Sequence, residues 1–126
     1  MALQIFDVVK SLGLYLKAQV HLCTGGTQVA EDKKRLKDGV HIVVGTPGRI
    51  RDMMNRQILD STYLRMLIID EADEMLGMGF LEQINEIIKL IPPDCQIALF
   101  SATIPPEIIK LTESIMNTPA KILVKK

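Results

Sequence analysis

Apolar residues along this chain follow two alternating patterns, one helical and one extended. Ile5, Val8, Val9, Leu12 and Leu16 recur at the spacing of one helix face. The compact apolar run at 20–24 comes next and is closed by two glycines, as a buried strand often is. The alternation continues and predicts strands at 20–24, 41–45, 64–69, 96–100 and 121–124, with helices near 5–16, 29–38, 47–56, 81–91 and 108–116.

The predicted strands are apolar along their length, and no hairpin turn separates one from the next. Such strands, alternating with helices, are typical of a parallel sheet covered by helices on both faces. The predicted fold class is therefore α/β. Because ligands of these sheets bind outside the carboxyl ends of the strands, the polar groups that follow four of the strands are candidate ligand contacts: Gly25-Gly26, Thr46, Asp70 and Ser101.

The composition fits a single globular domain, since the 126 residues are 48% hydrophobic and 24% charged. The formal net charge is zero. A nucleic acid would therefore have to be held by local basic groups and backbone N–H donors, because a global positive field is lacking. No apolar stretch approaches the roughly 18 residues of a membrane span, and the first residues lack the basic region of a signal peptide. We expect an intracellular protein.

Cysteine and histidine give little sign of a metal site. Cys23 and Cys95 lie in strand-like runs and form no C-x-x-C pair, so reduced core thiols are expected and not a zinc site or a disulfide. His21 and His41 have no partner at metal-ligand spacing, which favours ordinary structural roles. The charges of segment 29–38, which ends before a glycine, are typical of a solvated helix face.

The segment Asp70-Glu71-Ala72-Asp73 places three carboxylates directly after an apolar run. Burying unpaired charge costs several kcal/mol, so the cluster is expected to face solvent or to hold a cation, and the apolar neighbours favour the cation. Asp70 could hold Mg²⁺ through waters, while Glu71 could orient or deprotonate the water that attacks a γ-phosphate. The alternative is an acidic N-terminal cap of a helix.

Two further segments carry groups that suit a polar ligand. The hydroxyls of Ser101 and Thr103 could hydrogen-bond Asp73, although a hydroxyl after a strand is commonly a helix cap. Thr46-Pro47-Gly48-Arg49 combines a hydroxyl, N–H groups at a helix start and a guanidinium, which is a ready site for phosphate. The Gly25-Gly26 pair lets a backbone come close, although the pair alone is better explained as a turn. Such contacts would follow a sugar-phosphate backbone without reading its bases.

The order of these segments resembles that of the first RecA-like domain of DEAD-box RNA helicases over essentially the whole chain. Residues 68–76, 79–80 and 121–126 look most like the translation initiation factor 4A subgroup. The resemblance implies a cytoplasmic or nuclear enzyme that uses ATP and Mg²⁺ to unwind short RNA duplexes locally, in translation initiation. It implies Asp70 in magnesium coordination, Glu71 as catalytic base, Asp73, Ser101 and Thr103 in coupling, and RNA contacts from Gly25, Gly26, Thr46, Pro47, Gly48 and Arg49.

The family's phosphate-binding loop, A-x-x-G-x-G-K-T, and its glutamine motif are not in this sequence. The resemblance therefore implies that residues 1–126 are the C-terminal portion of the ATP-binding domain, without the phosphate-loop strand and the strand after it. These two strands would lie between the predicted fourth and fifth strands and between the second and third. We expect two gaps in the sheet and no RNA-stimulated ATPase from this chain alone.

Two other functions stay open at this point. One is a non-catalytic module that binds the RNA backbone. The other is a protein-interaction fragment that binds a helical-repeat scaffold, as relatives of initiation factor 4A do.

Overall fold

The computed structural model describes residues 1–125. Helices and strands alternate through most of the chain, as predicted, and a short 3₁₀ turn at Leu14–Leu16 follows the first helix. The strands are β1 Val20–Cys23, β2 Ile42–Gly45, β3 Met66–Ile69 and β4 Gln96–Leu99. The helices are α1 Ala2–Leu12, α2 Val29–Asp38, α3 Pro47–Asn55, α4 Ala72–Gly77, α5 Leu81–Leu90 and α6 Pro106–Ile115.

The four strands pair in parallel, but they form two separate sheets. In the first sheet β1 lies beside β2, with Val20 opposite Ile42. In the second sheet β3 lies beside β4, with Met66 opposite Gln96. The division falls between the second and third strands, at one of the two gaps that the resemblance predicts.

The predicted fifth strand, 121–124, does not form. Ile122, Leu123 and Val124 are exposed. The physical reason is that an apolar run becomes a strand only where a neighbouring strand accepts its hydrogen bonds, and no described residues pair with this segment. Coverage on both faces is also incomplete, because Ile68 in the middle of β3 is 57% exposed.

The principal core lies between the second sheet and helices α4, α5 and α6. Its buried members come from β3 and all three helices: Ile69, Ala72, Ile84, Ile108 and Leu111. Helix α3 packs against α5 and buries Met53 and Met54. A salt bridge of 3.5 Å between Arg51 Nη1 and Glu86 Oε2 joins the same two helices at their partly exposed side. No helix within residues 1–125 has both the length and the apolar character needed to cross a bilayer.

Gly45, the last residue of β2, is a position where the fold requires glycine for space. A Cβ there would approach within 2.7 Å of Ile50 Cδ1 and would also collide with the carbonyl oxygen of Cys23. The close approach lets α3 begin directly after β2, with Ile50 packed against Gly45. The sequence predicts Gly45 as a strand residue, but it does not reveal this constraint, which comes from Ile50 and Cys23.

Candidate functional site

The acidic segment continues the pairing of β3 and β4 beyond the ends of the strands. The Phe100 N–H donates to the Ile69 carbonyl at 2.9 Å, and the Ala72 N–H donates to the Phe100 carbonyl at 3.0 Å. These two backbone bonds fix the start of α4 against the residues that follow β4. Asp70 and Glu71 therefore lie at the carboxyl end of the sheet, as the sequence predicts.

Glu71 has a left-handed backbone, with φ 50° and ψ 50°. For a residue other than glycine, this conformation is unfavourable by on the order of 1 kcal/mol. The turn reverses the chain between β3 and α4, and the Oδ1 of Asp70 accepts the Glu71 N–H at 2.8 Å within it. The Asp70 and Glu71 carboxylates thus lie on a tight turn, whose backbone differs from that of a regular strand or helix.

Asp73 is held by the segment after β4 through three hydrogen bonds. Thr103 donates to Asp73 Oδ2 from its hydroxyl at 2.7 Å and from its backbone N–H at 3.2 Å. The backbone N–H of Asp73 donates to the Ser101 Oγ, also at 3.2 Å. These contacts, led by the Thr103 hydroxyl, hold the pKa of Asp73 below the ordinary value of 3.8. The contact predicted between Asp73 and the two hydroxyl residues is present.

A shallow cleft of about 400 Å³ lies beside these residues. Its lining comes from the acidic segment and the residues after β4: Asp70, Glu71, Asp73, Glu74, Phe100, Ser101 and Ala102. Carboxylate and hydroxyl oxygens are the donors that Mg²⁺ accepts, usually with waters completing its shell. No basic side chain of the described residues lines the cleft. The donor set therefore suits a hydrated magnesium ion and offers nothing to the phosphates of a nucleotide.

The residues predicted to bind RNA form a second group at the carboxyl ends of β1 and β2. The Thr46 N–H donates to the Cys23 carbonyl at 3.2 Å, which brings the start of α3 beside the turn after β1. Arg49 Nη2 donates to the Gly25 carbonyl in that turn at 3.4 Å. Pro47 is buried beneath the helix start. The two predicted RNA-binding segments are thus adjacent.

The glycines of this second group are not required by the fold of the described residues. A Cβ at Gly25 or Gly48 would meet no atom within 4 Å, and one at Gly26 would meet only Thr24 Oγ1 at 3.9 Å. None of the three has a positive φ. Space above these backbones is therefore open to an external ligand.

Asp32 and His21 form a buried contact that the sequence pattern does not predict. The Asp32 carboxylate is fully buried, so the interpretation of 29–38 as a solvated face is wrong at this position. It lies 2.7 Å from His21 Nε2 and 3.2 Å from Arg49 Nη1. Histidine in β1 and aspartate in α2 are separated by a glycine turn, and no local spacing rule relates them. His21 therefore does have an acidic partner, which the sequence did not reveal.

Cys23 lies beside this pair, fully buried. Burial, reinforced by the negative charge of Asp32, raises the pKa of its thiol to about 12. Cys23 is a free, buried cysteine.

Comparison with known proteins decides the family. The profile described as DEAD/DEAH box helicase matches residues 1–111. The chain belongs to this family. Among curated relatives of this chain, eukaryotic initiation factor 4A-9 of Nicotiana tabacum is 52% identical over all 126 residues, which are 30% of that protein. Eukaryotic initiation factor 4A of Drosophila melanogaster is 49% identical over the same length, 31% of its own. The chain spans about a third of these relatives.

Solved structures support the same family assignment. A DEAD box protein from the hyperthermophile Methanococcus jannaschii superposes with a TM-score of 0.89 at 40% identity, over 93% of this chain and 32% of that protein. A hypothetical ATP-dependent RNA helicase from Sulfolobus tokodaii gives 0.85 at 33% identity, over 93% and 35%. The α/β fold predicted from the strand pattern is therefore the RecA-like fold of DEAD-box helicase domains.

Proposed function

We propose that this chain is part of an RNA-dependent ATPase that couples ATP hydrolysis to local unwinding of RNA duplexes. The observation that carries the proposal is the junction of Asp73 with Ser101 and Thr103, beside the cleft that Asp70 and Glu71 line. The proposed hydrolytic site at Asp70 and Glu71 is thereby connected, through the hydrogen bonds of Asp73, to the segment that follows β4. Membership of the DEAD/DEAH box helicase family supports this function.

In the proposed reaction the carboxylates of Asp70 and Glu71 have different roles. Asp70 holds the waters of a magnesium ion, which when bound would neutralise charge on the transferring phosphoryl group. Glu71 orients the attacking water and accepts its proton. The strained backbone of Glu71 fixes the direction of its carboxylate relative to Asp70. The phosphates themselves need basic groups that residues 1–125 do not bring to this cleft.

Asp73, Ser101 and Thr103 have a coupling role in this proposal. Helix α4 carries Asp73, and the segment after β4 carries the two hydroxyl residues. A displacement of either segment must stretch the bonds of 2.7 and 3.2 Å between them. Nucleotide state at Asp70 and Glu71 can thereby be transmitted to residues 101–103.

RNA is proposed to lie along the second group, across Gly25, Gly26 and the start of α3. Backbone N–H groups at a helix start attract phosphate oxygens, and the open space above the glycines admits the sugar-phosphate chain. These contacts do not reach base edges, so binding is expected to be indifferent to sequence. In a protein of zero net charge, a local site of this kind is what phosphate binding requires.

The similarity to initiation factor 4A supports a role in translation initiation, and hence a cytoplasmic location. The same similarity suggests a helical-repeat scaffold protein as a further proposed partner of this chain. Capture of such a scaffold protein by the chain, undiminished by Asp70→Ala, supports this partner. A complete loss with that substitution would tie the interaction to the nucleotide site instead.

The catalytic proposal is tested by RNA-stimulated ATP hydrolysis in the full-length protein that contains these residues. Glu71→Gln is expected to abolish turnover while leaving ATP binding intact. Glu74→Gln, which changes the other glutamate of the cleft, is the matched control and should keep most of the activity. Equal loss in both variants would remove the special role of Glu71. The 126-residue chain alone is expected to show no turnover, and a rate abolished by Glu71→Gln would contradict that expectation.

A second candidate function is a non-catalytic RNA-binding module. It is favoured by two hydrogen bonds that join the start of α3 to the end of β1 and the glycine turn without involving the acidic cleft: Thr46 N–H to the Cys23 carbonyl and Arg49 Nη2 to the Gly25 carbonyl. Filter binding of a homopolymeric oligoribonucleotide measures it directly. Affinity that falls steeply with salt supports the module, and no binding at low salt excludes it.

A further inference from the structure

We propose that Asp32 is a positioning residue for RNA binding, which acts by locking Arg49 across the start of α3 and the glycine turn. The inference rests on the proposed RNA contact at that surface. It assigns Arg49 a role different from a direct phosphate ligand. The argument depends on how the Asp32 carboxylate is surrounded.

The Asp32 carboxylate is buried completely and is bonded from three sides. His21 Nε2 lies 2.7 Å from Oδ1, and Arg49 Nη1 donates to Oδ2 at 3.2 Å. The Thr27 hydroxyl lies 3.3 Å from Oδ2 and 3.4 Å from Oδ1. A carboxylate in this position is stable only while its partners stay in place, because an uncompensated buried charge is very costly. Asp32 therefore fixes the orientation of the Arg49 side chain.

Arg49 in turn bridges two elements. One end of its guanidinium, Nη1, faces Asp32 in α2, while Nη2 donates to the Gly25 carbonyl in the turn after β1. The side chain is only 14% exposed. Its planar fork is thus committed to acceptors of the protein, and a lysine could not satisfy both at once. The proposed phosphate contacts are left to the backbone N–H groups of the turn and of α3.

A metal ion is the other use that the same side chains suggest. Ligand atoms of His21, Cys23 and Asp32 all lie within 4.8 Å of one another. A cation there would have to displace the Arg49 guanidinium from Asp32, and it would have to deprotonate a thiol whose pKa is raised to about 12. Because the Arg49 guanidinium already pairs with Asp32, the structure favours this Asp32–Arg49 contact, which we call the arginine lock, over a metal ion.

The test is binding of a homopolymeric oligoribonucleotide to the chain and its variants at a series of salt concentrations. Asp32→Asn keeps the shape of the side chain but removes its charge. We expect its affinity to fall by about tenfold, with an unchanged slope of log affinity against log salt, because no phosphate contact is lost. Arg49→Gln should behave in the same way, and Asp32→Asn should cost nothing further in the Arg49→Gln background.

Arg49→Lys separates the lock from a direct phosphate contact without disturbing Asp32 chemically. A lysine keeps the positive charge, so a direct phosphate contact predicts nearly full affinity. The lock predicts a loss as large as that of Arg49→Gln. A salt slope reduced by about 0.7 in Arg49→Gln would overturn the proposal, because that is the change for one phosphate contact on a single strand.

The outcomes also separate this inference from the proposed function. Absence of RNA binding by the unsubstituted chain would remove both. Normal binding that is insensitive to Asp32→Asn would remove the lock alone. A loss caused merely by unfolding is recognised by circular dichroism, and in that case Arg49→Lys, which leaves the buried carboxylate paired, decides between the two roles.

Discussion

Thr103 binds a single carboxylate oxygen of Asp73 twice, through its hydroxyl at 2.7 Å and through its backbone N–H at 3.2 Å. The two residues are thirty positions apart and belong to α4 and to the segment after β4. Both bonds favour the charged carboxylate, which is why the pKa of Asp73 lies below its ordinary value. The bonds also make the position of residue 103 depend on the charge of residue 73.

Removing the Thr103 hydroxyl should raise the pKa of Asp73 toward 3.8. Because the folded pKa is depressed, the stability that this carboxylate contributes is present above pH 3.8 and is lost as the pH falls through the folded pKa. Thr103→Val should therefore be less stable than the parent at neutral pH, with a difference that shrinks in acid. Carboxyl carbon chemical shifts followed through a pH titration measure the pKa.

Thr62 provides the matched control for this titration. It also lowers the pKa of a nearby aspartate, Asp60, by hydroxyl and backbone hydrogen bonds, but far from the cleft. Thr62→Val should raise the pKa of Asp60 and leave Asp73 unchanged. A shift of Asp73 in this control would show that the effect of Thr103→Val is not local.

Asp32→Ala should destabilise the fold by about 3 kcal/mol, because it leaves Arg49 and His21 beside a buried site without their acceptor. The comparison is Asp52→Ala, which breaks the exposed Arg56–Asp52 pair at the C-terminal end of α3. Exposed pairs of this kind contribute less than about 0.5 kcal/mol. Urea unfolding of the two variants measures the difference, and equal losses would mean that the buried pair contributes no more than the exposed one.

Two glycines only three positions apart should respond in opposite ways to alanine. Gly45→Ala forces a Cβ against Ile50 and the Cys23 carbonyl, so a loss of about 3 kcal/mol is expected. Gly48→Ala, in open space within α3, should gain roughly 0.5 kcal/mol from helix propensity. Thermal unfolding tests both changes.

The same Gly48→Ala variant tests the proposed RNA surface. If a sugar-phosphate chain passes close to this backbone, the added methyl group should lower RNA affinity although stability rises. A more stable chain with unaltered affinity would place the RNA elsewhere.

Glu71→Gly should be more stable than Glu71→Ala by about 1 kcal/mol, because glycine adopts the left-handed backbone at residue 71 without strain. Both variants remove the carboxylate, so the comparison isolates the backbone. Chemical denaturation measures the difference. Equal stability of the two variants would indicate that the backbone at residue 71 leaves the left-handed conformation once the glutamate side chain is removed.

Much of the fold could be predicted because its signals are local. The glycine pair after β1, the Thr46-Pro47 helix start and the prolines after α5 each mark a boundary within a few residues of where the structure places it. The contact between Asp73 and Thr103 was also accessible, since both follow neighbouring parallel strands. Helix α4 was not predicted, because six residues are too few to show a helical period.

The remaining differences depend on contacts that are distant in sequence. Asp32 is buried because His21 in β1 and Arg49 in α3 contact its carboxylate. The other charged residues of α2 make the helix look solvent-exposed in the sequence, so the sequence does not reveal this burial. Segment 121–124 has the composition of a strand, but strand formation is decided by a neighbour and not by composition. The lack of space at Gly45 likewise comes from Ile50 and the end of β1.

Each of the two sheets contains only two strands, so every strand within residues 1–125 has one side on which its backbone meets no partner. Such ladders are acceptors for any extended peptide of matching length, and the exposed Ile68 adds an adhesive apolar face to β3. Self-association of the isolated chain should consequently increase with its concentration. A short synthetic β-peptide supplied in trans should be captured by main-chain pairing and should raise the melting temperature.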